Sequence, residues 1–426
     1  MRKLFFVLIL AGFALSAYTQ QMPDDSGFTN KAEAKNLFVD GLREGKWFEY
    51  MDSNNHHTFD TNAPYYALLI FHSGAPFGIA RQYYRNGKLL STDPFINGVL
   101  EGVEKSYYED GKLNTTVQYH NDQKNGMEIW FYESGKIEFE TPCEDGQKNG
   151  VMKQYYESGK LLEEFPFTDG KENGVDTEFY ETGGVKTITT YVGDSENGIS
   201  REYYEDGKLK TIRPYINGNQ NGIVKDYYGD GVVKAEYPYV NGIETGVAKE
   251  YYSSGKLSDE YPFIGGLENG IEKEYYENGM VESEITYVNG KENGLEKDYY
   301  ESGKIESEIP YSNGKLNGVE KHYFETGIVS AEIPYTDSIL NGTKKEYYWN
   351  GSIHIETNYL AGKENGLKIE YFQNGKKMHE IPYNMGKLNG VYKEFYESGI
   401  IRNEIVFVEG KQVSNKTYDQ NGREIK

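Results

Sequence analysis

The sequence predicts an all-β protein, an elongated single-layer antiparallel β-meander of about fifteen repeated hairpins. An aromatic doublet recurs every 24 residues from Tyr83-Tyr84 to Phe395-Tyr396, in fourteen registers without a slip. A glycine follows four residues after the first aromatic residue of each doublet, as at Gly87. Between these landmarks, apolar and polar residues alternate as they do in half-buried strands. A constant period over such a length indicates an array of one small supersecondary unit.

Each repeat contains two predicted strands, and residues 299–321 with their continuation show both. Ile305, Ile309 and Tyr311 alternate with glutamates and a proline, which predicts a first strand. Residues 319–324 alternate in the same way and predict a second strand. Antiparallel strands that follow one another through short turns form a meander. Because proline recurs in the first strand, as at Pro310, that strand either ends there or pairs over only part of its length.

Two turns connect these strands. The first, at residues 301–304, is predicted to be a tight hairpin because other repeats carry Asn-Gly or Asp-Gly there. The second, at residues 313–318, is predicted to be a longer loop with glycine at both ends. Turns of this kind need positive φ, which glycine adopts without steric penalty. The predicted structural turn glycines include Gly279, Gly303, Gly318 and Gly327.

Counting by alternation predicts two different faces. One carries the first doublet aromatic, the aromatic residue twelve positions later and the aliphatic residue after the longer loop. The other carries the second doublet aromatic and a column of glutamates, with the interleaved Lys249 and Lys273 on the opposite side. Stacked like charges repel, so the column is either a solvated face or an acidic binding surface. Its members are Glu236, Glu260, Glu284, Glu308, Glu332, Glu356, Glu380 and Glu404.

The chain divides into five predicted segments. Residues 1–20 have basic residues followed by a short apolar stretch and small residues, which predicts a secretory signal peptide. Residues 21–37 are predicted as a linker, 38–82 as divergent N-terminal repeats, 83–414 as the regular array and 415–426 as a C-terminal cap. No segment is long and apolar enough for a transmembrane helix. We therefore expect an exported protein, periplasmic or secreted, with cell-surface association as one option.

Composition restricts the class of partner. The chain has 67 acidic and 45 basic residues, a net charge of −22, which opposes binding to nucleic acid or anionic lipid. Its 40 tyrosines and 20 phenylalanines oppose disorder, because disordered segments lack aromatic residues. Cys143 is the only cysteine, so no intrachain disulfide can form, and it occupies a position that is aromatic in other repeats. We expect it to fill an apolar packing position.

No catalytic, metal or cofactor site is predicted. His56 and His57 are the only adjacent histidines, and a metal site completed by Asp52 and Asp60 is conceivable if they lie in a loop. Adjacent histidines on a strand face opposite sides, which disfavours such a site. No phosphate loop, dinucleotide fingerprint or nucleophile elbow is present. Carboxylate pairs recur in every repeat, whereas catalysis needs unlike carboxyl groups in one cleft. We therefore expect a protein that is not an enzyme.

The spacing Tyr311-x-x-Gly314-x-x-x-Gly318, followed by Tyr323 and Gly327, resembles the MORN repeat in its longer bacterial variant. The resemblance extends over nearly all of the chain after residue 37, and Trp47 supplies the tryptophan often present in such units. The sequence departs from the shorter form at Glu320, where that form has a further glycine. Membership implies a twisted single-layer antiparallel sheet, sometimes dimeric, that acts as a scaffold. It also implies phosphoinositide binding in some members, which the acidic charge opposes.

A second resemblance is to the aromatic–glycine repeats of choline-binding cell-wall modules. Those modules hold cationic ligands in tryptophan cages. This chain has only Trp47, Trp130 and Trp349, so tyrosines would have to form the cages.

Two functional hypotheses follow. The first is an exported, non-enzymatic repeat scaffold for protein–protein interaction, with a homodimer as one option. The alternative is a glycan or cell-surface ligand binder that uses tyrosine rings as stacking platforms. The candidate partner-binding residues are Glu260, Glu284, Glu308, Glu332, Tyr287, Tyr311 and Tyr335.

Overall fold

The computed structural model describes residues 27–425, in which the chain divides into two compact units, the first ending at Gly184 and the second beginning at Val185. Within each unit, strands that are neighbours in sequence pair antiparallel, so each unit is a β-meander. The all-β prediction is confirmed. The predicted signal peptide, residues 1–20, lies outside the described residues.

The first unit begins with a turn of 3-10 helix at Lys31–Glu33 and continues in strands only. Its strands are Leu37–Val39, Leu42–Met51, His57–Thr58, Tyr65–His72, Ala75–Pro76, Gly78–Tyr84, Leu89–Ile96, Val99–Leu100, Gly102–Tyr107, Leu113–His120, Gln123–Phe131, Ile137–Glu144, Gln147–Lys148, Gly150–Tyr155, Leu161–Thr168, Lys171–Glu172 and Gly174–Phe179.

The second unit repeats the same pattern. Its strands are Val185–Val192, Ser195–Glu196, Gly198–Tyr203, Leu209–Ile216, Asn219–Gln220, Gly222–Tyr227, Val233–Val240, Ile243–Glu244, Gly246–Tyr251, Leu257–Ile264, Leu267–Glu268, Gly270–Tyr275, Val281–Val288, Lys291–Glu292, Gly294–Tyr299, Ile305–Ser312, Lys315–Leu316, Gly318–Tyr323, Val329–Thr336, Ile339–Leu340, Gly342–Tyr347, Ile353–Leu360, Lys363–Tyr371, Lys377–Asn384, Lys387–Leu388, Gly390–Phe395, Ile401–Val408, Lys411–Tyr418 and Glu424–Ile425.

The turn after the first strand of a repeat is tighter than the sequence predicts. Asn313 and Gly314 have φ of 51° and 78°, as a two-residue type I′ hairpin turn requires. Lys315 and Leu316 then pair back with Ser312 and Tyr311. The predicted longer loop at residues 313–318 is therefore wrong, because an Asn-Gly turn matches the twist of its strands and lets pairing resume at once.

Proline lies inside the strand at an interruption of its neighbour. Pro310 is directly opposite Leu295 on one side. On the other side the partner breaks at Asn317, whose backbone N–H donates to the Pro310 carbonyl oxygen at 2.9 Å. Gly318 restarts that partner strand with φ of 134°, and a Cβ there would lie 3.0 Å from Pro310 Cγ. Of the two alternatives left open by the sequence, partial pairing is the one observed.

The described part of the predicted linker packs on the first strands. The Phe28 side chain is only 1% exposed and lies in a cluster with Leu68 and Tyr83, flanked by Phe48 and Tyr66. The Tyr66 and Tyr83 rings are stacked with centroids 5.0 Å apart. The stretch from residue 27 to the first strand is therefore part of the fold and not a free linker, because Phe28 is buried against the apolar and aromatic side chains of the first strands. At the other end, strand Lys411–Tyr418 crosses the predicted boundary of the C-terminal cap.

Cys143 is buried opposite Gly126, in the column that is aromatic in most repeats. Burial raises the pKa of its thiol, which disfavours the reactive thiolate. Its position agrees with the predicted packing role. Among residues 27–425, no helix has the length and apolarity needed to cross a membrane.

Candidate functional site

Glutamates and lysines lie on the same face of the sheet. Glu260 is directly opposite Lys249 in one neighbouring strand and Lys273 in the other, and Glu284 is opposite Lys273 and Lys297. Directly opposite residues share a face of an antiparallel sheet. The prediction that the lysines face away from the glutamates is therefore wrong. We call this side the ladder face, after its cross-strand row of alternating Lys and Glu.

The error has a geometric cause. Across each turn, partner residues have numbers of opposite parity, as in the pairs Tyr311 with Leu316 and Asp298 with Ser307. Odd-numbered residues therefore lie on one face in one strand and on the other face in the next strand. The sequence prediction counted by two through the turns and so kept all odd-numbered residues on one face. The same error misplaced the first doublet aromatic and the aliphatic residue after the type I′ turn, which both lie on the ladder face.

Three glutamates of the ladder, Glu236, Glu260 and Glu284, each bind one lysine and one tyrosine. Lys273 Nζ lies 2.9 Å from Glu284 Oε1, and the Tyr299 hydroxyl donates to Glu284 Oε2 at 3.1 Å. The hydrogen bond from Lys273 holds the pKa of Glu284 below its ordinary value. The same pattern binds Glu260, with Lys249 at 3.2 Å and the Tyr275 hydroxyl at 2.9 Å. The equivalent tyrosine bonds at Glu308, Glu332 and Glu356 measure 2.8, 2.9 and 2.7 Å.

The second doublet tyrosine has a different role. The Tyr276 hydroxyl donates to the backbone carbonyl oxygen of Tyr299 at 2.7 Å, and the Tyr300 hydroxyl donates to that of Tyr323 at 2.6 Å. These bonds join successive repeats, a role distinct from the hydrogen bonds that the first doublet tyrosine makes to the ladder glutamates. The first doublet tyrosine thus donates a hydrogen bond to a ladder glutamate, and the second donates one to the backbone of the next repeat.

An exposed apolar strip runs beside the ladder on the same face of the second unit. It consists of the aliphatic residues that follow Gly246, Gly270, Gly294 and Gly318 together with those flanking the type I′ turns. These side chains are 40–63% exposed. We define the apolar strip as Val240, Ile243, Val247, Ile264, Leu267, Ile271, Val288, Leu295, Val319 and Ile339.

From Val240 to Val288 the strip is continuous from repeat to repeat at the turns, whereas the next turn is flanked by Ser312 and Lys315 and only the inner row, with Leu295 and Val319, continues there. Ile264 is directly opposite Leu267, and a Cβ on Gly290 of the next turn would lie 3.6 Å from Leu267 Cδ2. Further in, Val247 is opposite Pro262 and Leu295 is opposite Pro310. Contiguous exposed apolar surface on a soluble protein marks an interaction site.

Near the C-terminal end, residues beyond the strip, at equivalent positions of the last repeats, line a groove together with ladder residues. It has a volume of about 530 Å³, within the range of roughly 300–1,000 Å³ for ligand sites. Apolar side chains line one side of it and the ladder the other. The lining residues are Leu367, Glu380, Pro382, Val391, Lys393, Glu404, Val406, Ser414 and Lys416.

The opposite side, which we call the packed face, holds small buried residues and tyrosines. Ser307 and Ala248 are 2% and 0% exposed. Tyr287, Tyr311 and Tyr335 lie on this face directly opposite Gly270, Gly294 and Gly318. The candidate tyrosines and the candidate glutamates thus occupy opposite faces of the sheet and do not form one site.

Carboxyl groups on the packed face are held partly neutral. Burial, followed by the charge of Glu268, raises the pKa of Glu272 to about 7. Burial and the charge of Asp298 do the same for Glu296, whose pKa is also raised to about 7. Glu272 and Glu296 are therefore less strongly ionised near neutral pH than Glu284 on the ladder face.

The other candidate positions have structural roles. Gly279, Gly303 and Gly327 have φ of 88°, 78° and 88°, as their turns require. Asp52 Oδ1 accepts hydrogen bonds from the backbone N–H groups of Asn54 and His56, so it caps a turn. Over residues 27–425 no group of three or more His, Cys, Asp or Glu side chains is arranged to hold a metal ion.

Comparison with protein families identifies the repeat. The model described as MORN repeat variant matches residues 78–97, 100–121, 124–142, 148–169, 196–217, 220–241, 244–264, 268–289, 292–313, 316–337 and 388–409, more than half of the chain. The chain belongs to the MORN-repeat-variant family. The resemblance seen in the sequence is confirmed, and the protein is a MORN-repeat scaffold, in which Glu236, Glu260 and Glu284 each form a Lys–Glu–Tyr set.

Other comparisons add little to the MORN assignment. A crystal structure of TcdB2-TccC3-Cdc42 is 11% identical, with 88% of this chain and 30% of that chain covered at a TM-score of 0.14. A Tc holotoxin pore of Photorhabdus luminescens with a TccC3 mutation is 11% identical, with 89% and 26% covered at a TM-score of 0.14. This chain spans less than a third of either. A comparison with curated proteins finds no match.

Proposed function

We propose that this MORN-repeat protein is an exported, non-enzymatic scaffold that binds a protein partner through its ladder face. The observation that supports this most directly is the apolar strip, where up to 63% of an aliphatic side chain is exposed beside ladder glutamates such as Glu260 and Glu284, which are already paired with lysines. Exposed apolar surface gains free energy on burial, whereas paired and half-exposed ions add little. The ladder is therefore suited to set the position of a partner, and the strip to hold it.

The N-terminal segment supports this assignment, because it already occupies the ladder face of the first repeats. Leu68 is directly opposite Arg81, which has the ladder position in its repeat. Phe28 buries its ring against Leu68 and the first doublet residue Tyr83. The same face is thus able to accept an apolar segment laid over its strands.

The test compares partners captured with and without the strip. We expect the full chain, immobilised and exposed to the exported proteins of its own source, to retain partners that Ile271→Glu/Leu295→Glu/Val319→Glu does not retain. The matched control is Met280→Glu/Trp349→Glu, which changes exposed apolar residues in doublet turns away from the strip. Identical capture by all three proteins would overturn the proposal.

Export rests on the sequence of residues 1–20 and has its own test. We expect the full chain to be processed near Ala17 and recovered outside the cytoplasm, and Arg2→Glu/Lys3→Glu to slow this step. Recovery of the unprocessed chain in the cytoplasm would contradict export without affecting the binding proposal.

A further inference from the structure

We propose that the partner segment is an amphipathic α-helix lying along the apolar strip and across the strands, with apolar residues at heptad spacing. This inference rests on the proposed function and specifies the chemistry of the partner. Four features of the ladder face favour a helix: the spacing of the strip, its width, the charge pattern beside it and the N-terminal segment that packs on the same face.

Spacing along the strip matches a helix. Successive strip residues such as Ile271, Leu295 and Val319 belong to equivalent strands two strands apart, which is about 9.6 Å at the usual strand separation. Seven residues of α-helix rise about 10.5 Å. The difference of about 1 Å per repeat limits a straight match to about three heptads.

The width of the strip also fits a helix. One row contains the turn-flanking pair Ile264 and Leu267, and the other lies two residues further into the strands at Pro262 and Val247. Two residues of strand span about 7 Å, which one helix of about 10 Å diameter covers with two adjacent apolar positions. A partner strand crossing the sheet could add no backbone hydrogen bonds, because the strands beneath already pair on both sides.

Charges beside the strip alternate in sign at each strand, as in Lys273, Glu284 and Lys297, at intervals of about 4.8 Å. Residues three or four apart on a helix lie about 5–6 Å from one another. A helix whose flank alternates acid and base at that spacing therefore places opposite charges against the ladder. A polyproline segment also rises about 9.3 Å in three residues, but such segments bind aromatic-lined grooves, and this strip is aliphatic.

The N-terminal segment has the same features on a small scale. Its helical turn Lys31–Glu33 follows the apolar anchor Phe28 on the ladder face of the first repeats. The Lys31 ammonium lies 5.8 Å from the centre of the Tyr66 ring, and Glu33 pairs with Lys46. The segment that we propose for the strip is a longer version of this one, a helix with several apolar residues and charges of both signs.

The test uses three fluorescent peptides of about 21 residues, the length of about three heptads. The first has leucine at the two apolar heptad positions and alternating glutamate and lysine beside them. The second has the same composition with strict two-residue alternation, and the third is proline-rich. Each is titrated against the full chain at concentrations where it is monomeric, with anisotropy as the measure of binding and circular dichroism as the measure of helix.

We expect the heptad peptide to bind most tightly and to gain helix on binding. Ile271→Lys/Leu295→Lys/Val319→Lys should weaken it by at least about tenfold, whereas Met280→Lys/Trp349→Lys should leave it unchanged. Tighter binding of either other peptide, or equal binding to both variants, would overturn the inference. Strip-dependent binding to phosphatidylcholine vesicles in place of the peptide would also overturn it, in favour of a membrane surface. If peptides fail while strip-dependent protein capture persists, the helix is wrong and the scaffold function stands.

Discussion

At the scale of single residues, two glycines of one repeat carry different constraints. Gly303 has φ of 78° in a turn where a Cβ would make only an ordinary contact, 3.8 Å from Met280 Sδ, whereas Gly318 has φ of 134° and a Cβ there would lie 3.0 Å from Pro310 Cγ. Asparagine adopts the left-handed region, as Asn313 does at φ of 51°. We expect Gly303→Asn to change stability little and Gly318→Asn to cost about 1–3 kcal/mol. Urea unfolding of the two variants measures the difference, and equal costs would contradict the assignment.

Glu272 gives the protein a pH dependence opposite to that of the ladder. Its pKa rises from an ordinary 4.5 to about 7 in the fold. Its ionisation therefore costs no stability below pH 4.5 and the full amount above about pH 7. We expect Glu272→Gln to raise the unfolding midpoint at pH 8 and to leave it nearly unchanged near pH 4.5. A stabilisation of equal size at both values would show that the effect is not ionic.

The ladder carboxylate of Glu284 behaves in the reverse way. The pKa of Glu284 is lowered, so its bond to Lys273 contributes stability that is present above pH 4.5 and is lost as pH falls through its folded pKa. Glu284→Gln should therefore lower the free energy of unfolding at neutral pH and leave it nearly unchanged in acid. Together, the loss of the Glu284 bond in acid and the cost of ionising Glu272 towards pH 7 predict that the free energy of unfolding is greatest between about pH 4.5 and pH 7.

At the scale of the strand pair, the ladder is tested by reversing charges. Lys273→Glu places like charges directly opposite Glu260 and Glu284, which we expect to cost on the order of 1 kcal/mol. Adding Glu284→Lys restores one of the two attractive pairs and should recover part of the loss. A double-mutant cycle from urea unfolding gives the coupling energy between Lys273 and Glu284. A coupling energy of zero in low salt would mean that the two side chains are solvated and do not stabilise the sheet.

Strand pairing also shows how far sequence reasoning reaches. The period of the doublets and the alternation around Ile305 and Ile309 predicted the strands and their order, because both depend on local spacing. The face of Lys273 depended on whether residues 265–270, which correspond to residues 313–318 of a later repeat, form a loop or a two-residue turn, and alternation cannot decide this. The recurring aliphatic residue at Ile271 and Val319 was visible in the sequence, but the wrong parity assigned it to the tyrosine side. The strip was missed for that reason alone.

At the scale of the whole molecule, repeat architecture predicts that damage stays local. Each strand of the second unit pairs only with its sequence neighbours, so stability is close to a sum over repeats and their interfaces. We expect Gly318→Asn to increase amide hydrogen exchange in strands Ile305–Ser312, Gly318–Tyr323 and Val329–Thr336. Strands five or more repeats away should keep their protection. Uniform loss throughout the second unit would show that it unfolds as one cooperative body.

Net charge and the apolar strip should control different steps of binding. The chain carries −22 overall although the ladder pairs its own charges, so its long-range field attracts cations while the contact surface stays close to neutral. We expect a heptad peptide made basic at solvent-facing positions to associate faster than its neutral counterpart and to lose that advantage at about 0.5 M salt, where screening is strong.

The dissociation rate of the basic peptide should match that of the neutral peptide in both conditions. It should rise with Ile271→Lys, because buried apolar contacts govern dissociation. Stopped-flow measurements separate the two rates. A salt-dependent dissociation rate would mean that Lys–Glu contacts, and not the strip, hold the partner.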